Sequence, residues 1–248
     1  MSRIVTVHSY RGGTGKSSAA ANLARLAADQ GLRAALVDTD LQSPGAHLPF
    51  GIRDLTALSS LADYLVGRCE IESAAWPVPT DGGALYLIPA RTELGPNSEI
   101  MVRGYDVGLL REGFDRLVES LGLNVLFLDT PSGFGNETVS AMASSDYLVI
   151  MTRADHLVAE AGEALSLASS MTHPRRAVVV NMLPAGMAGD AVQRQAEKVY
   201  GCPVVAVLPY CSEMAILGSQ GLAARDFPDH PIVDGFRQVI AELLGGRQ

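Results

Sequence analysis

The chain of 248 residues has little cysteine, little charge and no long hydrophobic run. Its three cysteines, Cys69, Cys202 and Cys211, form no CxxC motif, so we expect free buried thiols in a reducing cytoplasm rather than a disulfide framework. No apolar run approaches the ~18 residues of a membrane span, and the start of the chain is not typical of a secretion signal. A content of 48% apolar and 19% charged residues excludes a disordered chain.

Lysine is scarce as well, with two copies, Lys16 and Lys198, among 19 basic residues. The formal net charge of −8 argues against a protein whose whole surface binds nucleic acid. Scattered basic residues leave DNA binding as an alternative, although solvated side chains beside acidic neighbours are the favoured interpretation. These residues are Arg175, Arg176, Arg194, Lys198 and Arg225.

Short apolar runs alternate with longer stretches rich in Ala and Leu. Runs that are nearly all apolar are typical of strands covered on both faces, and the alternation predicts right-handed crossovers in a mostly parallel sheet. We therefore predict one α/β domain over residues 1–248, a three-layer sandwich of about seven to eight strands with helices on both faces. The predicted strands are Ile4–His8, Ala34–Val37, Leu85–Ile88, Val125–Leu128, Tyr147–Met151, Ala177–Val180 and Val204–Leu208. The predicted helices are Lys16–Gln30, Ser59–Val66, Val107–Leu121, Glu137–Ala143, Leu157–Ser170, Ala191–Tyr200 and Ile232–Leu244.

A glycine-rich loop, YRGGTGKSS, follows the first predicted strand. Glycine lets backbone N–H groups approach phosphates closely, and the start of a helix adds partial positive charge. In such a loop Lys16 would contact the β- and γ-phosphates, and the Ser17 hydroxyl would bind Mg²⁺. The strict G-x-x-x-x-G-K-[ST] pattern has Tyr10 at its first position, but its core is intact. The predicted phosphate site consists of Gly12, Gly13, Thr14, Gly15, Lys16, Ser17 and Ser18.

Carboxylates follow two other predicted strands. Asp38 and Asp40 come after the second strand, where they could bind the water shell of a metal ion and orient an attacking water. A solvated acidic turn is the alternative. Asp129 follows four apolar residues, which is the Walker B pattern for a residue at the Mg²⁺ shell. The next residues, Pro131–Gly133, could place a backbone N–H near the γ-phosphate and move when that phosphate leaves.

The last two predicted strands also end in residues that suit a nucleotide. Asn181 follows the strand Ala177–Val180, and its amide could donate to and accept from the edge of a base. A capped turn is the alternative. The segment Pro209–Ser212, in which we single out Pro209 and Tyr210, follows the strand Val204–Leu208 and could form a wall against the base.

These motifs resemble those of the ParA/MinD family of deviant Walker ATPases. The resemblance rests on YRGGTGKSS, DTDLQSPG, LFLDTPSG and the strand ends VVVN and VLPY, which occur in that family's order along nearly the whole chain. YLIPARTEL and SSDYLVIMTRADHLVAEAGEAL are most similar to the MinD and flagellar-regulator branch. The resemblance implies a P-loop NTPase fold with ATP and Mg²⁺ as cofactors. It also implies that Lys16, Ser17 and Ser18 hold phosphates and Mg²⁺, that Asp38 and Asp129 support the metal, that Asp40 orients the water, and that Asn181 reads adenine.

The chain departs from the family at the lysine before the GG, which is Arg11 here. In the family that lysine contacts the phosphates of the other subunit of an ATP-sandwiched homodimer. Arginine keeps the charge and offers a planar fork, as arginine fingers do, but needs different room. We count Arg11, with Lys16 and Asp40, as a catalytic residue, and expect Arg11→Ala to bind nucleotide without forming ATP-dependent dimers.

The sequence thus predicts a homodimeric switch that hydrolyses ATP slowly, is stimulated by an unidentified activator or cargo protein, and positions cargo or regulates a partner. One alternative is an ATP-binding scaffold with little hydrolysis. Another is a metallochaperone ATPase, although the paired cysteines of iron–sulfur and nickel-inserting relatives are missing. The last predicted helix is amphipathic but not basic. We therefore expect it to pack on the sheet, and membrane binding would need a tail beyond Gln248.

Overall fold

Strands of apolar residues form the centre of the molecule. The computed structural model describes residues 2–91, 100, 104–157, 175–218 and 220–245. The strands are β1 (Arg3–His8), β2 (Arg33–Asp38), β3 (Trp76–Val78), β4 (Ala84–Ile88), β5 (Val125–Asp129), β6 (Tyr147–Arg153), β7 (Arg175–Leu183) and β8 (Val204–Pro209). They form one eight-stranded sheet in the order β3-β4-β2-β5-β1-β6-β7-β8. The predicted, mostly parallel α/β sheet is confirmed.

The strand β3 is the element of the sheet that the sequence did not predict. It has three residues, runs antiparallel to β4 and lies at the edge of the sheet. Pro77 at its centre lacks an N–H group, and an edge strand is one of the few places in a sheet where proline is tolerated. Three residues are also too few to show a hydrophobic period.

The helices flank the sheet on both faces. They are α1 (Lys16–Asp29), α2 (Leu61–Leu65), α3 (Gly108–Ser120), α4 (Asn136–Ala143), α5 (Gly189–Tyr200), α6 (Ser212–Leu217), α7 (Ala223–Asp226) and α8 (Pro231–Gly245). Two of them, α6 and α7, were not predicted, because six and four residues give no helical period. Most of the predicted helix Leu157–Ser170, residues 158–170, lies outside the described residues.

Side chains of each strand alternate between the two faces of the sheet. Val5 and Val7 of β1 pack with the alanines of α1 and with α8, whereas Ile4 lies in the cluster on the opposite face. The alanines allow α1 to approach the sheet closely, and its last turn is followed by Gly31 at φ 86°. Helix α8 buries Phe236, among others, against the first face, as expected for a terminal helix packed on the sheet. The loop between β1 and α1 is therefore anchored at both ends.

The cysteines agree only in part with the expectation of free buried thiols. Cys69 and Cys202 are partly buried, Cys211 is buried, and all three are free thiols. Among the helices of the described ranges, none combines the length and the apolarity that a bilayer crossing requires.

Candidate functional site

The predicted site residues meet at the carboxyl-terminal edge of the sheet. In the parallel register Val7 of β1 pairs with Asp129 of β5, and Asp129 also pairs with Asp38 of β2. The loop after β1 therefore lies beside both aspartates. Such an edge is where α/β sheets bind their ligands.

The glycine-rich loop has the backbone that a phosphate site requires. Gly13 has a φ of 75° and Gly15 a φ of 83°, values that glycine adopts without steric cost. Gly15 is the N-cap of α1, and its carbonyl accepts the Ala19 N–H at 2.9 Å. Ser17 and Ser18, in the first turn of the helix, are partly buried. The loop thus presents a helix N-terminus and hydroxyl groups to the site.

Lys16 forms a buried ion pair at the centre of the site. Its Nζ lies 2.8 Å from Oδ1 of Asp129, and the two side chains are 8% and 1% exposed. The same Nζ lies 3.5 Å from the Ser17 hydroxyl. Oδ2 of Asp129 is buried and has no hydrogen-bond partner among the described residues. An oxygen in that state suits the water shell of Mg²⁺, a cation that prefers oxygen ligands.

Asp38 closes the turn after β2. Its Oδ1 accepts the Asp40 N–H at 3.0 Å, and its Oδ2 accepts the N–H groups of Gly45 and Ala46 at 2.9 and 3.0 Å. Burial, and then the neighbouring Asp129 carboxylate, raise the pKa of Asp38 to about 7, although the three hydrogen bonds oppose this rise. A divalent cation at the site would favour the ionised form.

Asp40 lies at the entrance of the site rather than in its centre. It is partly buried, and its Oδ1 accepts the N–H groups of Gln42 and Ser43 at 3.2 and 2.8 Å. It lines a cavity of about 220 Å³ together with Ser132 and Phe134 of the loop after β5. A carboxylate held in this way by its own turn could orient a water molecule in the cavity.

An aromatic cluster behind the phosphate loop was not predicted. Phe134, 52% exposed, lies 5.5 Å from Tyr10 and 5.9 Å from His8 between ring centroids, and Tyr10 meets His8 edge-on at 5.3 Å. The Gly133 N–H donates to the Ser9 carbonyl at 3.1 Å. The phosphate loop and the loop after β5 are thus joined by both ring contacts and a backbone hydrogen bond. The signal in the sequence was the pair of large side chains flanking Ser9.

His8 is held neutral within this cluster. Burial, and then the charge of Lys16, lower its pKa to about 3. The Thr130 hydroxyl donates to the Val7 carbonyl at 3.2 Å and lies 3.0 Å from His8 Nδ1. Because the Thr130 hydroxyl donates its proton to the Val7 carbonyl, Nδ1 of His8 is the donor to Thr130 Oγ1.

A second cavity, of about 300 Å³, lies beyond the phosphate loop. Asn181, Pro209 and Tyr210 line it as predicted for a base site, and Tyr210 is 56% exposed. Cys211, from the same predicted segment, also lines the cavity, whereas the sequence did not point to Met182 and Met214, or to Ile232 and Phe236 of α8. Apolar walls with few polar groups are typical of ligand pockets of this size.

The remaining predicted residues are basic, and they line neither of the two cavities. Arg11 is exposed, and its guanidinium makes no hydrogen bond or ion pair with any residue that the structure describes. Of the basic residues considered for DNA, Arg225 is paired with Asp226 at 2.8 Å. Arg175 and Arg176 begin β7, at the opposite edge of the sheet from the site.

The ParA family model, described as "NUBPL iron-transfer P-loop NTPase", matches residues 1–239. The chain belongs to the ParA family. It is 29% identical over 149 residues to the antiactivator FleN of Pseudomonas aeruginosa, covering 60% of this chain and 50% of that protein. It is 26% identical to an iron-sulfur cluster carrier protein of Pseudomonas fragi, covering 92% and 80%.

The fold has close counterparts among solved structures. The septum site-determining protein MinD of Pyrococcus horikoshii, complexed with Mg-ADP, superimposes with a TM-score of 0.80. The two chains are 23% identical, and the comparison covers 99% of this chain and 98% of the other. This likeness establishes the fold of the chain.

One group of residues in the described part of the chain could hold a metal ion. Cys211, Glu213 and His230 place one ligand atom each within 4.8 Å of one another. However, His230 Nδ1 accepts the Ile232 N–H at 3.1 Å, so the ring proton of the neutral form lies on Nε2, the nitrogen 3.9 Å from Glu213. A metal bound to Nε2 would have to displace that proton, and the histidine acts instead as a cap of α8.

Proposed function

We propose that this ParA-family protein is an ATP-hydrolysing switch that works as an ATP-dependent homodimer to position cargo or regulate a partner. The observation that carries the proposal is the buried Lys16–Asp129 pair in a glycine-rich loop at a helix N-terminus, beside the Asp38 and Asp40 turn. A buried lysine beside a carboxylate, one oxygen of which has no partner among the described residues, suits the binding of phosphates together with Mg²⁺. The similarity to FleN and to MinD supports the positioning or regulatory role.

Different residues of the chain would bind the phosphates and the Mg²⁺ ion of the nucleotide. Loop N–H groups and Lys16 would hold the β- and γ-phosphates. Ser17, Asp38 and Asp129 would hold Mg²⁺, which neutralises the charge that develops on the phosphates. With Mg²⁺ and nucleotide bound, Asp129 would support the metal and Lys16 would pair with the phosphates.

The attack of water on the phosphate would depend on the turn after β2, which contains Asp40. Asp40 already lines a cavity with Ser132 of the loop after β5, and its Oδ2 accepts no hydrogen bond from a described residue. That oxygen could accept a hydrogen bond from the attacking water. Catalysis of this kind is positioning plus charge stabilisation, so turnover without an activator should be slow.

Arg11 would complete the site of the other subunit. Its exposure at the start of the phosphate loop leaves the guanidinium available to phosphates across an interface. A planar fork suits phosphate oxygens, and an arginine supplied in trans is worth about 10³–10⁵ in rate in other P-loop enzymes.

We place the switch in the cytoplasm, with an activator or cargo protein as its partner.

Two variants test the proposal. Asp40→Ala should bind ATP and dimerise but lose turnover, because the water is no longer oriented. Arg11→Ala should bind ATP as a monomer, while the matched Arg11→Lys should dimerise. Nucleotide affinity, solution mass and phosphate release are measured for each variant. Turnover that is equally low in wild type and Asp40→Ala would favour the scaffold alternative, whereas measurable and unchanged turnover would contradict the role of Asp40. Normal dimers of Arg11→Ala would overturn the trans role.

The family description and the carrier relative support a second candidate, a metallochaperone ATPase. The chain lacks a CxxC motif. In addition, Nδ1 of His230 accepts the Ile232 N–H, so that Nε2 carries the ring proton and is unsuited to bind a metal. We therefore expect protein purified without chelators to contain no stoichiometric iron. Elemental analysis measures this directly, and one iron per dimer would reverse the ranking.

A further inference from the structure

The end of β7 departs from regular strand geometry at the site. The register between β7 and β8 shifts between Val180 and Leu183. Within this bulge Met182 has a φ of 56°, and it is the sole non-glycine residue with a positive φ among those described. A bulge re-aims side chains, and a strained residue of this kind persists where surrounding contacts impose it.

The residue that the bulge re-aims is Asn181. Its Nδ2 donates to the Thr14 carbonyl in the phosphate loop at 2.9 Å, and its Oδ1 accepts the Met182 N–H at 2.9 Å. The side chain is buried, and both ends of its amide are bonded. It also packs directly on Gly15, where a Cβ atom would lie 2.5 Å from Nδ2.

We propose that Asn181 is a positioning residue that fixes the phosphate loop before ATP arrives. This rests on the proposed function, in which that loop binds the phosphates. The C=O of Thr14 and the N–H of Gly15 belong to one planar trans peptide and point to opposite sides. Holding the Thr14 oxygen toward Asn181 therefore directs the Gly15 N–H away from it. Without that bond the peptide can rotate, and a carbonyl oxygen turned toward the phosphates would repel them.

The same side chain lines the cavity of about 300 Å³ next to the loop. Asn181 thus touches both the base site and the phosphate site. If a residue only reads the base, its substitution weakens the binding of ATP and leaves the binding of a phosphate chain without a base unchanged. A residue that holds the loop would matter for both ligands.

Inorganic tripolyphosphate separates these roles, because it carries the phosphates without base or ribose. Binding of ATP and of tripolyphosphate, each with Mg²⁺, is measured by calorimetry for the wild type, Asn181→Ala and Tyr210→Ala. Tyr210 lines the same cavity but makes no hydrogen bond to the loop within the described part of the chain, so it is the matched control. Asn181→Ala should weaken both ligands by about tenfold, the effect of one lost hydrogen bond to a buried group. Tyr210→Ala should weaken ATP alone.

A second variant keeps the test valid if the alanine variant does not fold. Asn181→Asp preserves the size of the side chain but places a carboxylate oxygen against the Thr14 carbonyl, and it should weaken tripolyphosphate at least as strongly. Thermal unfolding without ligand identifies the folded variants. Tripolyphosphate affinity within twofold of wild type in a folded variant would overturn the proposal. So would a wild type that binds ATP but not tripolyphosphate, whereas a wild type that binds neither would overturn the proposed function itself.

Discussion

The buried carboxyl of Asp38 makes the stability of the nucleotide-free protein depend on pH. The folded state raises the pKa of Asp38 to about 7 from an ordinary value of 3.8, through burial and the Asp129 carboxylate. Between these two pH values the folded state holds one proton more than the unfolded state. The free energy of unfolding therefore falls as pH rises through this window.

The size of the effect follows from the two pKa values. Each pKa unit is worth about 1.4 kcal/mol, so the full loss is about 4 kcal/mol. Between pH 5 and pH 8 the expected part is about 2.5 kcal/mol, because the unfolded carboxyl is already mostly ionised at pH 5.

The assay compares wild type with Asp38→Asn by urea unfolding at pH 5, 6, 7 and 8. The asparagine cannot ionise, and its amide oxygen can still accept the N–H groups of Gly45 and Ala46. Titrating groups that do not interact with Asp38 cancel in the difference, whereas Asp129, which does interact with it, contributes to that difference. Wild type should lose about 2.5 kcal/mol relative to the variant from pH 5 to pH 8. Parallel pH profiles would refute the reasoning and show that Asp38 is ionised throughout this pH range.

Two other positions give independent expectations. The folded state lowers the pKa of His8 below its unfolded value of 6.5. As pH falls from 7.5 to 5, the free energy of unfolding of the wild type should therefore fall by about 2 kcal/mol relative to that of His8→Phe in the same urea assay. Equal acid sensitivity of the two proteins would contradict a neutral His8. Gly83 packs so closely on the Leu32 carbonyl that a methyl group would collide with it. Gly83→Ala should therefore cost about 2 kcal/mol or more in thermal unfolding, whereas the control Gly189→Ala, at the open start of α5, should cost nothing. A neutral Gly83→Ala would show that the loop before β4 can move away.

The seven long strands and the phosphate loop could be predicted because local sequence decides them. Apolar runs fix the strands, and Gly13 and Gly15 occupy positions that need a positive φ. The grouping of Asp38 with Asp129 also follows, because parallel strands bring their carboxyl ends to one edge.

What the sequence could not show depends on contacts between distant segments. The hydrogen bond between Asn181 and Thr14 joins residues 167 positions apart, and it depends on a bulge that no local sequence pattern predicts. Helix α8 was correctly predicted to pack on the sheet, but the place of Phe236 in the wall of the second cavity depends on how that helix crosses β8. The His8–Tyr10–Phe134 cluster likewise forms only when two loops fold against each other.

The central claim is that ATP controls assembly, and the solution mass of the wild type tests it most directly. Light scattering is recorded without nucleotide, with ADP and with ATP, each with Mg²⁺, while phosphate release is followed in the same sample. We predict a monomer without nucleotide and with ADP, and a dimer with ATP that disappears as phosphate appears. A monomer in every state, or a dimer that ignores the nucleotide, would contradict the switch.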